Sequence, residues 1–412
     1  MRNGMPLLDI DRHVVEPLSM WPEYLPAAYR DVAPDARPLA PPGESLDERL
    51  ARLGPQALLP TPPILTVQGR PLIRGMSERA YVEANLHVEE RRHELIAGGS
   101  AAGQLADMDA TGVDLAMLLP THAGFLVYDD EIDAGRSRAY ADAYNRWLAD
   151  LCQEAPQRLL GAVLLSRHDP TQMVSDLEAG LKRGLCAAVI RPNPVQGRTL
   201  GAPELDPFYA ACVAHDIPLL LHEGTHTRVE TVGATRFASH FAQHVCSHPL
   251  EMMMAFLSLL EAGVFERHPR LRVAFLEAGC GFLPYWLWRI DHAVEVAQVN
   301  ELGGHVRQRP SGYFRRQCWI ALEPTEPLLP QNIDHIGTAR VVFGTDFPHI
   351  DHDAGILADL FADRTGLRRE VLQAVVWDNP LRLLGPRSAS LAEPWTRMPP
   401  LKGRAVEGLT VA

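Results

Sequence analysis

Four apolar runs in this chain each stop at a side chain that is able to bind a metal ion. They are LLDIDRHVVEP (7–17), PLLLHEG (218–224), VAFLEAGCGFLP (273–284) and VVFGTDFPHID (341–351). Strands that are buried on both faces form continuous aliphatic segments, and parallel barrels carry their chemistry at the carboxyl ends of such strands. These runs therefore predict a barrel with a metal site at one rim.

Strand and helix patterns alternate along most of the chain. Repeated alternation is typical of parallel βα units. We predict an α/β fold, a (β/α)8 TIM barrel, in preference to a doubly wound open sheet, because residues of the ligand type end four different strands. The predicted strands are 6–11, 113–120, 159–166, 186–191, 217–222, 271–277, 317–322 and 340–345. Apolar residues at helical spacing predict helices at 134–153, 170–183, 249–262 and 354–364.

The length and apolar content favour one elaborated barrel over two average domains. With 412 residues, 46% of them hydrophobic, the chain can bury a large core, and we assign 1–385 to a single metal-dependent barrel domain. Residues 17–100 are rich in proline and interrupt the first βα unit, so we expect a long insertion that serves as a lid or a dimerisation segment. Residues 386–412 lack periodicity and are expected to form a C-terminal arm or tail.

The charge and cysteine content argue against several partners and locations. A formal net charge of −12 offers no basic surface for nucleic acid or anionic lipid, so we expect neither as a partner. The six cysteines form no CxxC pair, and the N-terminus lacks the apolar region of a signal peptide. These features predict a cytoplasmic protein that acts on a small molecule and has no membrane attachment.

Longer strings carry a resemblance to a known family. DIDRHVVEP, HPLEMMMAFLSLLEAGVFERHPRLRVAFLEAGCGFLPYWLWRID, FGTDFPH and DNPLRLLG resemble the amidohydrolase-related family typified by aminocarboxymuconate semialdehyde decarboxylase. The match is strongest over about 205–385, whereas the excursion at 17–100 has no counterpart in the short decarboxylases and resembles the longer branch of the family. The resemblance implies a barrel that binds one divalent metal ion, usually zinc with manganese or iron as alternatives, and a homodimer.

The resemblance also implies metal ligands at the ends of strands one, five and eight. In the family the first strand ends in His-x-His or Glu-x-His, and Asp11-Arg12-His13 matches that triplet, with Asp11 and His13 on one face of the strand. His222 and Asp346 match the later ligands, and Asp346 would also carry a proton during catalysis. In the alternative reading, Asp11 caps its strand, His222 is a rim residue and Asp346 forms a turn.

Strand six departs from the short decarboxylases, which have a catalytic histidine where this chain has Glu277. Glu277 is a candidate acid/base, an extra metal ligand, or a partner that orients a ligand histidine, and it could also cap the helix near Gly281. His248 is a second catalytic candidate, because we expect it to open the helix that starts at Pro249; in the alternative reading it is only a neighbour of the helix cap. A helix N-terminus would lower its pKa and favour neutral imidazole.

Four further side chains follow the predicted strands and could bind a substrate anion. They are His122, His168, Arg191 and His349, and together they suggest a polar substrate that carries a carboxylate. Glu16 is expected either to tie the first loop to the rim or to bind an arginine.

Two enzymatic functions and one non-catalytic function fit these residues. The resemblance favours non-oxidative decarboxylation of a small unsaturated or aromatic acid. Hydrolysis or cyclodehydration at an amide, ester or lactone carbonyl is the alternative, because the strand-six histidine is replaced. A binding protein that has kept the barrel is the third, and the retention of Asp11, His13, His222 and Asp346 together argues against it.

Overall fold

The computed structural model describes most of the chain. It covers residues 2–387 apart from 41, 59–62, 74–80, 83–91, 223, 226–227, 298–301, 303 and 350–354. The predicted tail at 386–412 therefore lies outside the described residues from position 388 onward. Within the described ranges, no helix combines the length and the apolar character that a membrane crossing requires.

Eight parallel strands form the barrel, and a small antiparallel sheet precedes the second of them. In the barrel each strand pairs with the next along the chain. The described strands are β1 (Leu8–Val14), β2 (Asp35–Arg37), β3 (Ile64–Val67), β4 (Arg70–Pro71), β5 (Leu115–Pro120), β6 (Leu159–Leu164), β7 (Ala187–Ile190), β8 (Leu219–Leu221), β9 (Val273–Phe275), β10 (Cys318–Ala321) and β11 (Val341–Val342). The barrel sheet runs in the order β1-β5-β6-β7-β8-β9-β10-β11.

The first and last strands close the ring through backbone hydrogen bonds. Ile10 N donates to Phe343 O at 3.3 Å, and His13 N donates to Phe347 O at 2.7 Å. In the other direction, Asp346 N donates to Asp11 O at 2.8 Å. This closure confirms the (β/α)8 barrel, because an open sheet would leave both edges unpaired.

Most of the described helices alternate with the barrel strands along the chain, whereas the helix at Leu46–Leu53 belongs to the excursion at 17–100. The described helices are α1 (Met20–Tyr24), α2 (Leu46–Leu53), α3 (Arg92–Ala97), α4 (Ala101–Thr111), α5 (His122–Val127), α6 (Ala134–Gln153), α7 (Met173–Lys182), α8 (Asp206–Ala214), α9 (His240–Glu261), α10 (Val264–Arg267), α11 (Leu283–Ala297), α12 (Pro310–Gln317), α13 (Leu329–Ile336), α14 (Ile356–Leu360), α15 (Arg369–Gln373) and α16 (Asn379–Leu384), with a π-helical turn at Ala374–Asp378.

Most of the predicted elements are present with different ends. Seven of the eight strands are shorter than predicted, and β1 instead runs on to Val14. The helix at 134–153 has the predicted bounds, and the one at 354–364 is reduced to α14 and a short 3₁₀ turn. The prediction that a helix begins at Pro249 is wrong, because α9 begins at His240, where Ser239 Oγ accepts from Ala242 N at 3.2 Å. Pro249 lies inside this helix.

The described part of the excursion at 17–100 has a small core of its own. Strands β2, β3 and β4 pair antiparallel, and α2 begins with a capping box formed by Ser45 and Glu48. The sheet is tied to the barrel side by an ion pair between Arg70 and Glu131. Its buried apolar residues are Leu39, Leu53, Ala57, Ile64 and Val82. That the excursion acts as a lid or a dimerisation segment stays a prediction.

Candidate metal centre

Four side chains from three barrel strands meet at one point of the rim. One donor atom of each of Asp11, His13, His222 and Asp346 lies within 4.8 Å of the others. His13 Nε2 is 2.9 Å from His222 Nε2, 3.4 Å from Asp11 Oδ1 and 3.2 Å from Asp346 Oδ1. The structure thus brings together all four residues that the resemblance singled out.

Strand β1 presents two of these side chains because of its alternation and its close approach to the last strand. Asp11 and His13 are two residues apart and face the barrel interior, next to an irregularity in the pairing of β1 between Asp9 and Arg12. A Cβ on Gly344 would stand 2.1 Å from Asp11 Cβ, so only glycine fits there. The missing side chain lets the segment that carries Asp346 lie against β1.

The donor set fits one divalent cation. His13 Nδ1 lies 3.0 Å from the carbonyl oxygen of Pro120, which can only accept, so Nδ1 carries the proton and Nε2 turns its lone pair toward the cluster. Asp11 Oδ1 is buried and has no hydrogen-bond partner among the described residues. Carboxylate oxygens and imidazole nitrogens are ligands of zinc, manganese and iron. The cluster is therefore a site for a single divalent metal ion.

Burial and mutual attraction move the pKa values of the cluster in opposite directions. Burial lowers the pKa of His13, which keeps this imidazole neutral. Burial also opposes the charge on His222, but Glu277 and Asp11 outweigh it and raise the pKa of His222. The pKa of Asp11 ends below its usual range, because His222 and His13 overcome the effect of burial. Ionised Asp11 and neutral His13 are the forms that bind a metal.

Asp346 sits in a strained backbone conformation and is held by His349. Its φ of 54° lies in the left-handed region, which is unusual for a residue other than glycine. His349 Nδ1 lies 2.8 Å from Asp346 Oδ1, and its Nε2 lies 2.8 Å from Thr121 Oγ1. Burial lowers the pKa of His349 well below its usual range, so the neutral ring can donate to Asp346 and accept from Thr121. Thr121 was missed in the sequence, although it directly follows β5.

Glu277 lies between the cluster and His248. Its Oε2 is 3.1 Å from His222 Nε2 and 3.5 Å from His248 Nε2, and its φ of 53° is also left-handed. Because it contacts the same His222 nitrogen that faces the cluster, it does not orient that ring from behind. The capping role belongs to Glu326, which accepts from Cys280 N at 2.9 Å and from Gly281 N at 2.6 Å. An acid/base or an extra ligand are the roles that remain for Glu277.

The structure corrects the sequence argument about His248. This residue lies in the third turn of α9, well past its start, so no helix N-terminus acts on its ring. His248 nevertheless lies at the rim, because it lines one open cleft together with Glu277 and Asp346. His244 lines the same cleft and was missed, although it lies four residues before His248.

Arg191 lies deep in the rim. It is 6% exposed, and its guanidinium carbon lies 5.3 Å from the ring centre of Phe125 and 6.0 Å from that of Tyr128. A Cβ on Gly224, two residues after His222, would come within 1.8 Å of an Arg191 nitrogen. This glycine therefore lets the guanidinium approach the backbone beside a cluster residue.

His122 and His168 occupy different surroundings. His122 opens α5, and Glu16 accepts from its backbone N at 2.7 Å, from Thr121 N and from Ala123 N, so Glu16 does join the first loop to the rim. His168 Nε2 donates to the backbone carbonyl of Asp129 at 2.9 Å. This contact directs His168 toward the loop after α5 and not toward the four-residue cluster.

Curated proteins with similar sequences are decarboxylases. The chain is 27% identical over 214 residues to 2-amino-3-carboxymuconate-6-semialdehyde decarboxylase of Dictyostelium discoideum, a match that covers 50% of this chain and 56% of that protein. The chain thus spans little more than half the length of this relative. It is 27% identical over 265 residues to gamma-resorcylate decarboxylase of Rhizobium sp. (strain MTP-10005), covering 60% of this chain and 76% of that one.

Solved structures share the fold over nearly the whole chain. An amidohydrolase from Mycobacterium avium subsp. paratuberculosis superposes with a TM-score of 0.71 at 21% identity, covering 92% of this chain and 99% of that one. A dihydroxybenzoic acid decarboxylase from Polaromonas sp. JS666, with bound manganese and the inhibitor 2-nitroresorcinol, gives 0.62 at 20% identity, with 94% and 99% covered.

The family assignment rests on most of the barrel. The protein family described as Amidohydrolase matches residues 82–385, which include β5 to β11 and two of the four cluster residues, His222 and Asp346. Because the match covers well over half of the 412 residues, this chain belongs to the amidohydrolase family.

Proposed function

We propose that this chain is a metal-dependent carboxy-lyase that removes the carboxylate from a small aromatic or unsaturated acid. The observation that carries this function is the cluster of two carboxylates and two imidazoles, which shares one open cleft with Glu277 and His248. The similarity to decarboxylases of carboxylated aromatic and muconate compounds supports the same chemistry.

Asp11, His13, His222 and Asp346 hold the metal ion. Zinc suits this mixed oxygen and nitrogen donor set, and manganese is the alternative, since a structural neighbour contains it. When bound there, the ion would supply Lewis-acid chemistry, which stabilises negative charge that develops on the substrate.

The chain's own residues supply the proton and bind the acid. Decarboxylation breaks the bond between the carboxylate and its carbon, releases CO₂, and leaves an electron pair that must take one proton. Asp346 and Glu277 both border the cleft and are the candidate donors, with Asp346 held in place by His349. Arg191 follows β7 and His122 follows β5, two strands that β6 separates, and at these strand ends positive charge and hydrogen-bond donors favour a substrate anion.

Two copies of the chain pair through an exposed apolar surface on α9 and α11. Trp286 Nε1 donates to Met253 O at 3.0 Å, which joins the two helices side by side. The exposed members are Met254 on α9, next to this contact, and Tyr285, Trp288 and Val296 on α11, with Trp288 53% exposed. Helix α9 contains no lysine or arginine, so its face suits a like face. Their burial against a second copy would form part of the roughly 800 Å² per partner that a stable dimer requires.

Sedimentation at micromolar concentration tests the dimer. Trp288→Glu should yield monomers. Leu328→Glu should leave the dimer intact, because Leu328 is an exposed residue at the start of α13, outside the proposed surface. A wild type that sediments as a monomer contradicts this assembly.

The six cysteines are free thiols, which supports the cytoplasm as the location.

Metal analysis combined with a substrate screen tests the function. Purified wild type should contain about one zinc or manganese ion per chain, and His222→Ala should lose it. His215→Ala is the matched control, because His215 pairs with Glu178 at the surface, away from the cluster. The loaded wild type should then release CO₂ from hydroxybenzoic or unsaturated acids. Hydrolysis of amides, esters or lactones without CO₂ release would overturn the decarboxylase and select a hydrolase or cyclase.

A further inference from the structure

Helix α9 carries three histidines at four-residue intervals along one face. They are His240, His244 and His248, and four-residue neighbours lie above one another on an α-helix. The ring centres are 5.6 Å apart for the first pair and 4.3 Å apart for the second. The row begins in the first turn of α9 and ends beside Glu277, whose Oε2 lies 3.5 Å from His248 Nε2. Metal binding at the four-residue cluster does not account for this row.

Thr225 connects the two inner rings. It is 8% exposed, and its Oγ1 lies 3.3 Å from Nδ1 of His244 and 3.3 Å from Nδ1 of His248. Ser247 Oγ lies 2.7 Å from the same oxygen and holds it in position. A hydroxyl can accept one hydrogen bond while it donates another, so Thr225 can take a proton from one ring and pass its own to the other.

We propose that His244, Thr225 and His248 form a path that delivers protons from solvent to the reaction cleft. The path rests on the decarboxylation proposed above, which consumes one proton for each CO₂ released. His244 takes a proton from solvent at Nε2 and passes its Nδ1 proton to Thr225, whose hydroxyl proton moves to Nδ1 of His248. His248 then releases its Nε2 proton into the cleft, so one proton enters and one leaves in each turnover.

The position of the path matches this need. His244 and His248 both line the cleft that Asp346 and Glu277 border, and the side chain of His248 is 12% exposed. A proton source at this wall can reload the cleft while substrate occupies the metal side. His240, in the first turn, extends the row by one further ring.

Variants at Thr225 separate the hydroxyl from its volume. Thr225→Val keeps the shape of the side chain and removes the hydroxyl, whereas Thr225→Ser keeps the hydroxyl and is the matched control. In Thr225→Val and in His244→Gln, kcat should fall about tenfold or more, with KM and metal content unchanged, and added imidazole should restore much of it. Thr225→Ser should retain most of the wild-type kcat.

Several results would overturn the path. The first is a fall in kcat that is equally large in Thr225→Ser and Thr225→Val, and the second is a fall in kcat that imidazole does not restore. The third is a rise in KM at unchanged kcat, which would indicate that the residue contacts the substrate. If the wild type hydrolyses amides or lactones and releases no CO₂, the proposed function fails, and the same variants are then compared on the hydrolysed substrate.

A spectroscopic measurement tests the path without any turnover. In zinc-loaded protein with ¹⁵N-labelled histidine, the ring nitrogens of His244 and His248 should both titrate differently in Thr225→Val than in wild type, because one hydroxyl serves both rings. Unchanged titrations of both rings would refute the path even in an active enzyme. If the wild type turns over no substrate, this comparison alone decides.

Discussion

Replacement of Arg12 by methionine tests how the barrel holds its metal ligands. Arg12 lies between Asp11 and His13 but points away from the cluster, and it is fully buried. Its Nη1 lies 3.6 Å from Asp9 Oδ2, and its Nη2 donates to Asp107 at 2.5 Å. In turn, the Asp9 carboxylate accepts two hydrogen bonds from Thr345, the residue before Asp346. One comes from the backbone N at 2.9 Å and the other from the Thr345 hydroxyl. Arg12→Met therefore removes the positive charge that joins the first strand to the last.

The contacts that are lost set the size of the effect. Removing one partner of a buried ion pair costs about 3–5 kcal/mol, because the other charge stays buried without compensation. The hydrogen bonds from Arg12 to Gln104 at 2.6 Å and to Asp107 are part of the same loss and are not added to it. Methionine keeps much of the unbranched apolar volume. We expect a loss of about 4 kcal/mol in the free energy of unfolding, out of about 5–15 kcal/mol for a typical domain.

Urea unfolding of the metal-free proteins measures this loss without a contribution from the ion. Arg138→Met is the matched control, because Arg138 forms a two-pronged pair with Asp176 at the surface, where the side chains are 36% and 27% exposed. Exposed pairs contribute about 0–1 kcal/mol. If Arg12→Met loses no more than Arg138→Met, the buried charge does not hold the strands together and the reasoning is refuted.

Three other perturbations bear on the site and its supports. Gly344→Ala should reduce bound metal well below one ion per chain, because the new Cβ would stand 2.1 Å from Asp11 Cβ; full metal content would contradict the close approach. Glu326→Ala should destabilise the protein by about 1 kcal/mol in urea unfolding, because two backbone amides before α11 lose their acceptor, whereas an unchanged midpoint would exclude the cap. A chelator should lower the melting temperature of wild type but not of His222→Ala, since bound metal stabilises only the folded chain.

The features that the sequence predicted are those that local patterns encode. Strands β5 to β11 are continuous apolar runs, so their existence follows from burial on both faces. Asp11 and His13 share a face because strand side chains alternate, and this needs no knowledge of the rest of the fold. The start of α9 was mistaken because Pro249 was taken as a helix opener, although this proline lies inside the helix.

The features that were missed depend on contacts between distant segments. Thr121 approaches His349 across 228 positions, and Thr225 approaches His244 through a loop whose path no periodicity determines. His168 shows the reverse case. It follows a strand as a substrate ligand would, but the loop after α5 supplies a backbone carbonyl that binds its ring. Position at a strand end is therefore not sufficient to direct a side chain toward the cluster.

Two of the strand-end residues, Asp346 and Glu277, have a strained backbone conformation. Asp346 and Glu277 both have left-handed φ values, 54° and 53°, at the ends of different strands. Such a conformation costs about 1–3 kcal/mol for a residue other than glycine, so the surrounding contacts must stabilise it. At Asp346 those contacts include the hydrogen bond from its N to Asp11 O and the closed pairing of β1 with the last strand. Both residues line one cleft, and at Asp346 the bond to Asp11 O links the closure of the barrel to the position of a proposed acid/base group.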